Sequence, residues 1–398
     1  ISRGAYLYSK YGYIIYGVDD AQWNITLDGR DVTTGFDDTV RLVSNDRSYT
    51  LDLSENNDTL TIKGDVYLDG DIDADGNDTE AGDKIIFDNA SLEMRNGDIE
   101  DFESFSFSGN VTLKDVYIDT DNLGDDDGVA YFTIADGTTL TMIDSEFDRD
   151  SDFLAAFVVQ DASNVTVNIT EYSELEAFAD GTVGLLISNS DDIDITVSGR
   201  DGWDADVDGD YSDNYSKIYA GDSDAVSIRD SRNVTLTLNH ASHIAADSNK
   251  GIDINNSANV DITLNAQSFI VASENAIDLS NTSYSSVTLN DNSRIFVNGN
   301  YDGISLEYES NHNQITLNDT SSIWAHQAED AAFGIDVHTD DNIITLATDI
   351  TADGFDLENM NLRSRIYVNG NYNIGIEIDG SDNIVNLNGG AIIVQNHR

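Results

Sequence analysis

Apolar and polar residues alternate along this chain in short bursts, and the bursts recur. From residue 233 the same phrase returns as NVTLTLN (233–239), NVDITLN (259–265), SVTLN (286–290), NQITLN (313–318), NIITLA (342–347) and NIVNLN (383–388). Looser copies precede it: NVTLK (110–114), NVTVN (164–168) and DIDITVS (192–198). Two further tokens lie between copies. One reads S-x-I, as in SHIAA (242–246), SFIVA (268–272), SRIFV (293–297) and SSIWA (321–325). The other reads G/A-I-x followed by an apolar residue, as in GIDI (251–254), AIDL (276–279), GISL (303–306), GIDV (334–337) and GIEI (375–378). Alternation with period two predicts strands with one buried face. Asn, Asp, Ser and Gly fill the joints, where the backbone must turn.

Three short strands per unit, with Asn239, Asn265, Asn290 and Asn318 separated by 26, 25 and 28 residues, predict a solenoid. Stacked along one axis, such units make an all-β parallel β-helix with coils of about 25–29 residues. The nonapeptide SRIFVNGNY (293–301) recurs as SRIYVNGNY (364–372), an interval that fits three turns with one short, or two turns and an insertion. In a stack, one turn position lies over itself at about 4.8 Å. Side-chain amides there can bond up and down the file, so Asn239, Asn265, Asn290, Asn318 and Asn388 are the expected ladder, the alternative being ordinary turn residues. Ser285 reads as a turn residue outside it.

The regular pattern covers 161–398, with interruptions near 199–216 and 347–362, and 61–160 reads as irregular coils of the same helix. Residues 1–60 differ. Tyr6, Tyr8, Tyr11, Tyr13, Tyr16 and Trp23 crowd them. The segment reads as an N-terminal cap or docking segment, or as an aromatic first coil, because a solenoid exposes an apolar end that usually carries a cap.

Charge narrows the partners. With 75 acidic against 19 basic side chains the formal charge is −56. Such a surface repels nucleic acid and anionic membranes and attracts cations. The chain has no Cys, hence no disulfide framework, and no Pro, which suits ladder-rich strands. No run approaches the length of a membrane-spanning helix, and no basic stretch followed by an apolar run opens the sequence. The expectation is a mature or partial chain, secreted or at the cell surface, whose targeting and anchoring parts lie elsewhere. N-x-S/T sequons recur, among them Asn24, Asn110, Asn164, Asn233 and Asn281, largely as by-products of the repeat.

Two loops carry recognisable chemistry. DIDADG (71–76) and DADVDG (204–209) are both D-x-D-x-D-G, alternate carboxylates before a glycine turn that can wrap one hard cation. The expected ligands of a structural Ca2+ are Asp71, Asp73, Asp75 and Asn77, and Asp204, Asp206, Asp208 and Asp210. Gly82 and Tyr215 stand where the full motif wants Glu, and no helical pattern flanks either loop, so a solvated acidic loop is the alternative. Catalytic constellations are weak: the N-T-D, G-H-G and R-I-K motifs of polygalacturonase-like hydrolases are missing, and the six histidines read as surface turn residues. No catalytic residue is assigned. Arg294 and Arg365 hold equivalent places in the duplicated nonapeptide, and a strip of Arg and aromatic side chains there would grip sugar or a neighbouring subunit.

The three-strand coil with N-(V/I)-T-L-N phrases resembles the right-handed parallel β-helix of bacterial surface proteins, such as autotransporter passenger domains and large adhesins. The resemblance covers 160–398 well and 60–160 weakly. It implies a rigid stalk or adhesive surface displayed outside the cell. The expected function is a non-enzymatic structural or adhesive protein of a cell surface, surface filament or sheath that binds divalent cations, self-associates into a filament or array, and contacts a glycan or host-surface ligand. The alternative is a polysaccharide lyase or glycoside hydrolase with carboxylates lining a groove, which three or four carboxylates converging with a basic residue would mark.

Overall fold

The computed structural model describes residues 1, 6–9, 15–16, 24–29, 40–44, 51–52, 58–73, 83–100, 102, 104–119, 132–149, 154–199, 215–326, 332–348, 363–370 and 374–396. Among them the ordered elements are strands, with no helix, so no helix is long and apolar enough to cross a membrane. Every strand-to-strand pairing is parallel. The strands fall into three sheets, and from Ala155 on the coils contribute to each of them in turn. Parallel neighbours joined by crossovers take the right-handed sense. The fold is a right-handed parallel β-helix.

The repeated phrase forms the first sheet. Its strands include Arg232–Asn239, Ala258–Leu264, Ser286–Leu289, Gln314–Asn318 and Ile343–Ala347, in unbroken register Leu238↔Leu264↔Leu289↔Leu317↔Leu346. The S-x-I token opens strands of the second sheet, which among the described residues has fourteen strands, from Ile15–Tyr16 to Ala391–Asn396. Token G/A-I-x forms the third, with eight strands among the described residues, from Ala155–Gln160 to Ile374–Ile378. Inward positions of all three are mostly Val, Ile, Leu and Ala, with Phe and Met in the earlier coils, and they make one continuous core. Each coil buries its apolar row only against the rows above and below, so the stability is a sum of neighbour interfaces. The nonapeptide interval resolves as two coils and an insertion, since Arg294 pairs with Ser322 and Ser322 with Arg365.

The irregularity of 61–160 has a structural cause. Among the described residues the third sheet begins with Ala155–Gln160, and before it the first-sheet strands are long or double. Thr59–Asp69 and Lys84–Arg95 are single strands that shift register at Lys63/Gly64. Next come the pairs Ser104–Ser108 with Asn110–Lys114, and Phe132–Ile134 with Thr139–Ile143. Phe132–Ile134 packs against Ala155–Gln160, where the third sheet takes over. The broader interior is filled with aromatics. Phe87, Phe105, Phe107, Phe132, Phe147 and Phe157 are buried, with Phe87 and Phe107 stacked at 5.1 Å and Phe132 edge-on to Phe157 at 5.0 Å.

No change of sheet marks residue 60, for Asn24–Gly29 pairs with Thr59–Asp69 and Tyr6–Ser9 with Val40–Ser44. Tyr11, Tyr13 and Trp23 lie outside the described residues. At the far end Val385, Leu387, Ile392 and Val394 continue the core files of Ile344, Leu346, Ile366 and Val368, but are 37–52% exposed.

Candidate functional site

Turn chemistry decides which side chains a coil can present. Corner residues repeatedly take positive φ, among them Asn96, Asp115, Asp144, Asp161, Asn189, Asp230, Asn256 and Asn281, because Asn and Asp tolerate the left-handed region. Stacking turns these corners into ladders. Asn265 Nδ2 donates to Asn239 Oδ1 at 3.0 Å, Asn290 to Asn265 at 2.9 Å, and Asn318 to Asn290 at 2.8 Å. The file then reaches Ala347, which pairs with Asn318 and has no amide to offer, so Asn388 stands one coil beyond the break. A second amide file, not read from the sequence, links Asn256 to Asp230 and Asn281 to Asn256.

Buried hydroxyls form a third file. The Oγ atoms of Ser190, Ser231 and Ser257 accept the backbone N–H of Ala162, Ser190 and Ser231 from the coil before, and each hydroxyl donates to the carbonyl two residues back. Ser285 is a correction to the sequence reading. It is buried, its Oγ accepts the Val260 N–H at 2.9 Å, and its own N–H donates to Asn313 Oδ1. Such files satisfy turn backbone that would otherwise be orphaned inside the stack.

Of the expected Ca2+ ligands, Asp71 and Asp73 are described, at the entry and end of the short strand Ile72–Asp73. Asp71 Oδ1 accepts the Asp98 N–H at 3.2 Å, and burial, opposed by that hydrogen bond, raises its pKa. Asp75, Asn77 and all of Asp204, Asp206, Asp208 and Asp210 lie outside the described residues.

The densest chemistry lies on the outer face of the second sheet. Outward residues fall into register as Asp98↔Tyr117↔Glu146↔Glu174↔Lys217 and, beside them, Asp119↔Asp148↔Glu176. Carboxylate oxygens of Glu146, Glu174 and Glu176 lie within 4.8 Å of one another. The Lys217 ammonium reaches Glu174 Oε2 at 2.9 Å and also bonds Glu176. Burial, then the charges of Glu176 and Glu174, push Glu146 up to about 8. Glu174 is pushed up to about 7, by burial first. Burial pulls Lys217 down, but its two glutamate partners outweigh it and hold the ammonium charged. Tyr117 Oη donates to Asp148 Oδ2 at 2.7 Å. An open groove of about 390 Å3 continues from Glu146 past Asp144 and Asp115 to Asp98, with Tyr117 and Tyr172 on its walls.

Three carboxylates and a lysine thus converge at one place. Sequence reasoning missed them, although the signal was present: SEF (145–147), SEL (173–175) and SKI (216–218) are the S-x-I token with any apolar residue third, and their outward position is acidic, acidic and then basic in successive coils. Another missed row is on the third sheet. There Lys250 Nζ bonds Asp253 at 2.8 Å and Asp278, and burial first raises Asp302 to about 7. His243 also departs from the surface reading. It is 3% exposed within the strand His243–Ala246, stacked on Phe269 at 4.9 Å, and burial pushes it down to about 3.

No protein-family model and no curated protein matches the chain. Among solved structures it is similar to a mutant of the periplasmic alginate epimerase AlgG, at 11% identity over 96% of this chain and 84% of that one, with a TM-score of 0.33. It is also similar to PfbA, a surface adhesin of Streptococcus pneumoniae, at 12% identity over 96% and 85%, with a TM-score of 0.36. A third is a mutant DFA-IIIase of Arthrobacter chlorophenolicus A6 in complex with DFA-III, at 10% identity over 88% and 78%, with a TM-score of 0.27. At these identities the likeness concerns the fold alone.

Proposed function

We propose that this protein is an extracellular, non-enzymatic β-helix of a cell surface or surface filament, structural or adhesive in role, whose acidic skin binds divalent cations. The observation that carries this reading is the continuity of the stack: side-chain ladders reinforce parallel hydrogen bonding coil after coil, which makes a stiff rod. Carboxylate oxygens within 4.8 Å of one another suit one hard cation with oxygen ligands at about 2.3–2.6 Å. Ca2+ at Glu146, Glu174 and Glu176 would have to displace the Lys217 ammonium. Electron microscopy of concentrated protein with and without Ca2+ tests the structural role. Rods, or rods joined into filaments or sheets, are expected; flexible or globular particles would refute it.

A specific observation favours the second reading, a polysaccharide lyase or glycoside hydrolase. Glu146, held protonated near neutral pH beside Glu174, Glu176 and Lys217, offers a proton donor next to charged groups in an open groove. Incubation with uronate and neutral polysaccharides, followed by assay for new reducing ends and unsaturated products, separates the two. The expected result is no turnover. Turnover that disappears in Glu146→Gln would replace the first reading with the second.

A further inference from the structure

Beyond the acidic groove, the outer face of the second sheet changes character over three adjacent strands, Arg294–Val297, Ser322–His326 and Arg365–Gly370. Alternate residues Ile295, Ile323 and Ile366 point inward and are fully buried, which turns their neighbours outward. The outward side chains form a grid. One row is Arg294, Ser322 and Arg365. The next is Phe296, Trp324 and Tyr367, all half-buried. The third, at the strand ends, is Asn298, His326 and Asn369, and Asn369 Nδ2 lies 3.4 Å from His326 Nδ1.

The grid is internally ordered. Trp324 Nε1 donates to Ser322 Oγ at 2.9 Å, which fixes the indole. The Arg365 guanidinium lies 5.0 Å from the centre of that ring, and Tyr367 packs on it at 4.7 Å with a 43° tilt. Phe296 follows on the other side at 6.3 Å. Burial lowers the pKa of Arg294, and burial with the charge of Arg294 lowers that of Arg365. Two guanidinium groups close enough to act on each other, one of them over an indole ring, are out of character for a chain of charge −56. The duplicated nonapeptide now has a structural meaning. SRIFVNGNY and SRIYVNGNY place Arg, an aromatic ring and Asn at the same three outward positions, two coils apart.

Two coils separate the arginines by about 9.6 Å along the axis. One coil rise is close to the length of one pyranose residue in an extended polysaccharide. In a flat ribbon of linked sugars, alternate residues turn the same edge to the same side and so repeat with the period of the arginines. Guanidinium groups bind carboxylates in bidentate fashion, aromatic rings pack against the C–H faces of sugars, and amides bond their hydroxyls. We propose that this grid binds an acidic polysaccharide, a chain of uronic acid residues running along the helix axis, with its carboxylates on Arg294 and Arg365 and its rings against Phe296, Trp324 and Tyr367. The proposal deepens the adhesive reading above and rests on it.

Native gel electrophoresis through matrices containing polygalacturonate, alginate or neutral dextran tests it. Ionic strength is held near 0.15 M to shorten the repulsion between two polyanions, and a chelator prevents Ca2+ from bridging them. The uronate polymers should retard the protein and dextran should not. The double variant Arg294→Gln/Arg365→Gln should weaken retardation about tenfold or more, as expected for two charge-assisted contacts, without changing the melting temperature by more than a few degrees. Trp324→Ala should weaken it too, and Trp324→Phe should restore part. The double variant keeps every ring and every core side chain, so it carries the test if Trp324→Ala unfolds. Equal retardation by dextran, no retardation at all, or retardation unchanged in the double variant overturns the proposal. So does self-association that the double variant abolishes, for that would make a second copy's acidic face the occupant. Shortened polysaccharide recovered from the gel would sink the non-enzymatic reading and leave the grid standing, whereas intact polysaccharide with unretarded protein sinks the grid alone.

Discussion

Asn290 shows what one residue contributes to a stack. Its amide donates to Asn265 and accepts from Asn318, so truncation breaks two ladder bonds and leaves partners on both sides. Asn290→Ala should cost about 1 kcal/mol, up to about 3 if the partners find no water. Gln160→Ala, at an exposed position, should stay within about 0.5 kcal/mol. Denaturant midpoints compare the two, and equal effects would remove the energetic role of the ladder. The asparagine file was legible because TLN repeats at coil spacing. The hydroxyl files were not. Ser231 and Ser285 look like any turn serine until the coil before them supplies the N–H that each accepts. Glycine gives a related case. A Cβ on Gly334 would collide with the Ile366 side chain and meet the Gly375 carbonyl oxygen at 2.6 Å, a contact between neighbouring coils and invisible within one repeat.

At the scale of the element, the second sheet carries opposed titrations on one face. Glu146 and Glu174 have folded pKa values of about 8 and 7 against an ordinary 4.5, so the folded state holds extra protons between those limits. Their contribution to stability is full below about pH 4.5 and is lost as the pH rises through 7–8. His243 does the reverse. With its pKa lowered from 6.5 to about 3, its contribution is present above pH 6.5 and is lost as the pH falls towards 3. Thermal melts from pH 4 to 9 should show Glu146→Gln flattening the alkaline limb and His243→Phe flattening the acid limb. A wild-type profile in both variants would refute the assignment. The S-x-I token marked the strand of His243 from sequence but not those of Glu146 and Glu174, and which outward positions share a site depends on register. Glu174 and Lys217 are 43 residues apart because an insertion intervenes, and only pairing of the strands makes them neighbours.

The whole molecule is an acidic rod, and its charge sets its response to ions. At pH 8 the Glu146, Glu174 and Glu176 cluster and the carboxylates around it repel, and a divalent cation bound only by the folded state raises stability by mass action. Millimolar Ca2+ should therefore raise the melting temperature at pH 8 and much less at pH 5, where protons on Glu146 and Glu174 already relieve the repulsion. Glu146→Gln should reduce that difference. No effect of Ca2+ at either pH, or an equal effect in the variant, would argue against cation binding at this face.

The amino-acid pattern by itself determined the strand tokens, the coil length, the solenoid architecture and the amide file, because each depends on local alternation repeated at constant spacing. It determined the acidity and hence the class of ions attracted. Only the tertiary structure decided where the third sheet begins, how Phe87 to Phe157 fill the wider coils ahead of it, and which side chains lie one above another across insertions of unequal length. The physical reason is that a solenoid's functional surfaces run along its axis, perpendicular to the chain. Residues that meet there are a full turn apart in sequence, and register across coils, not proximity along the backbone, brings them together.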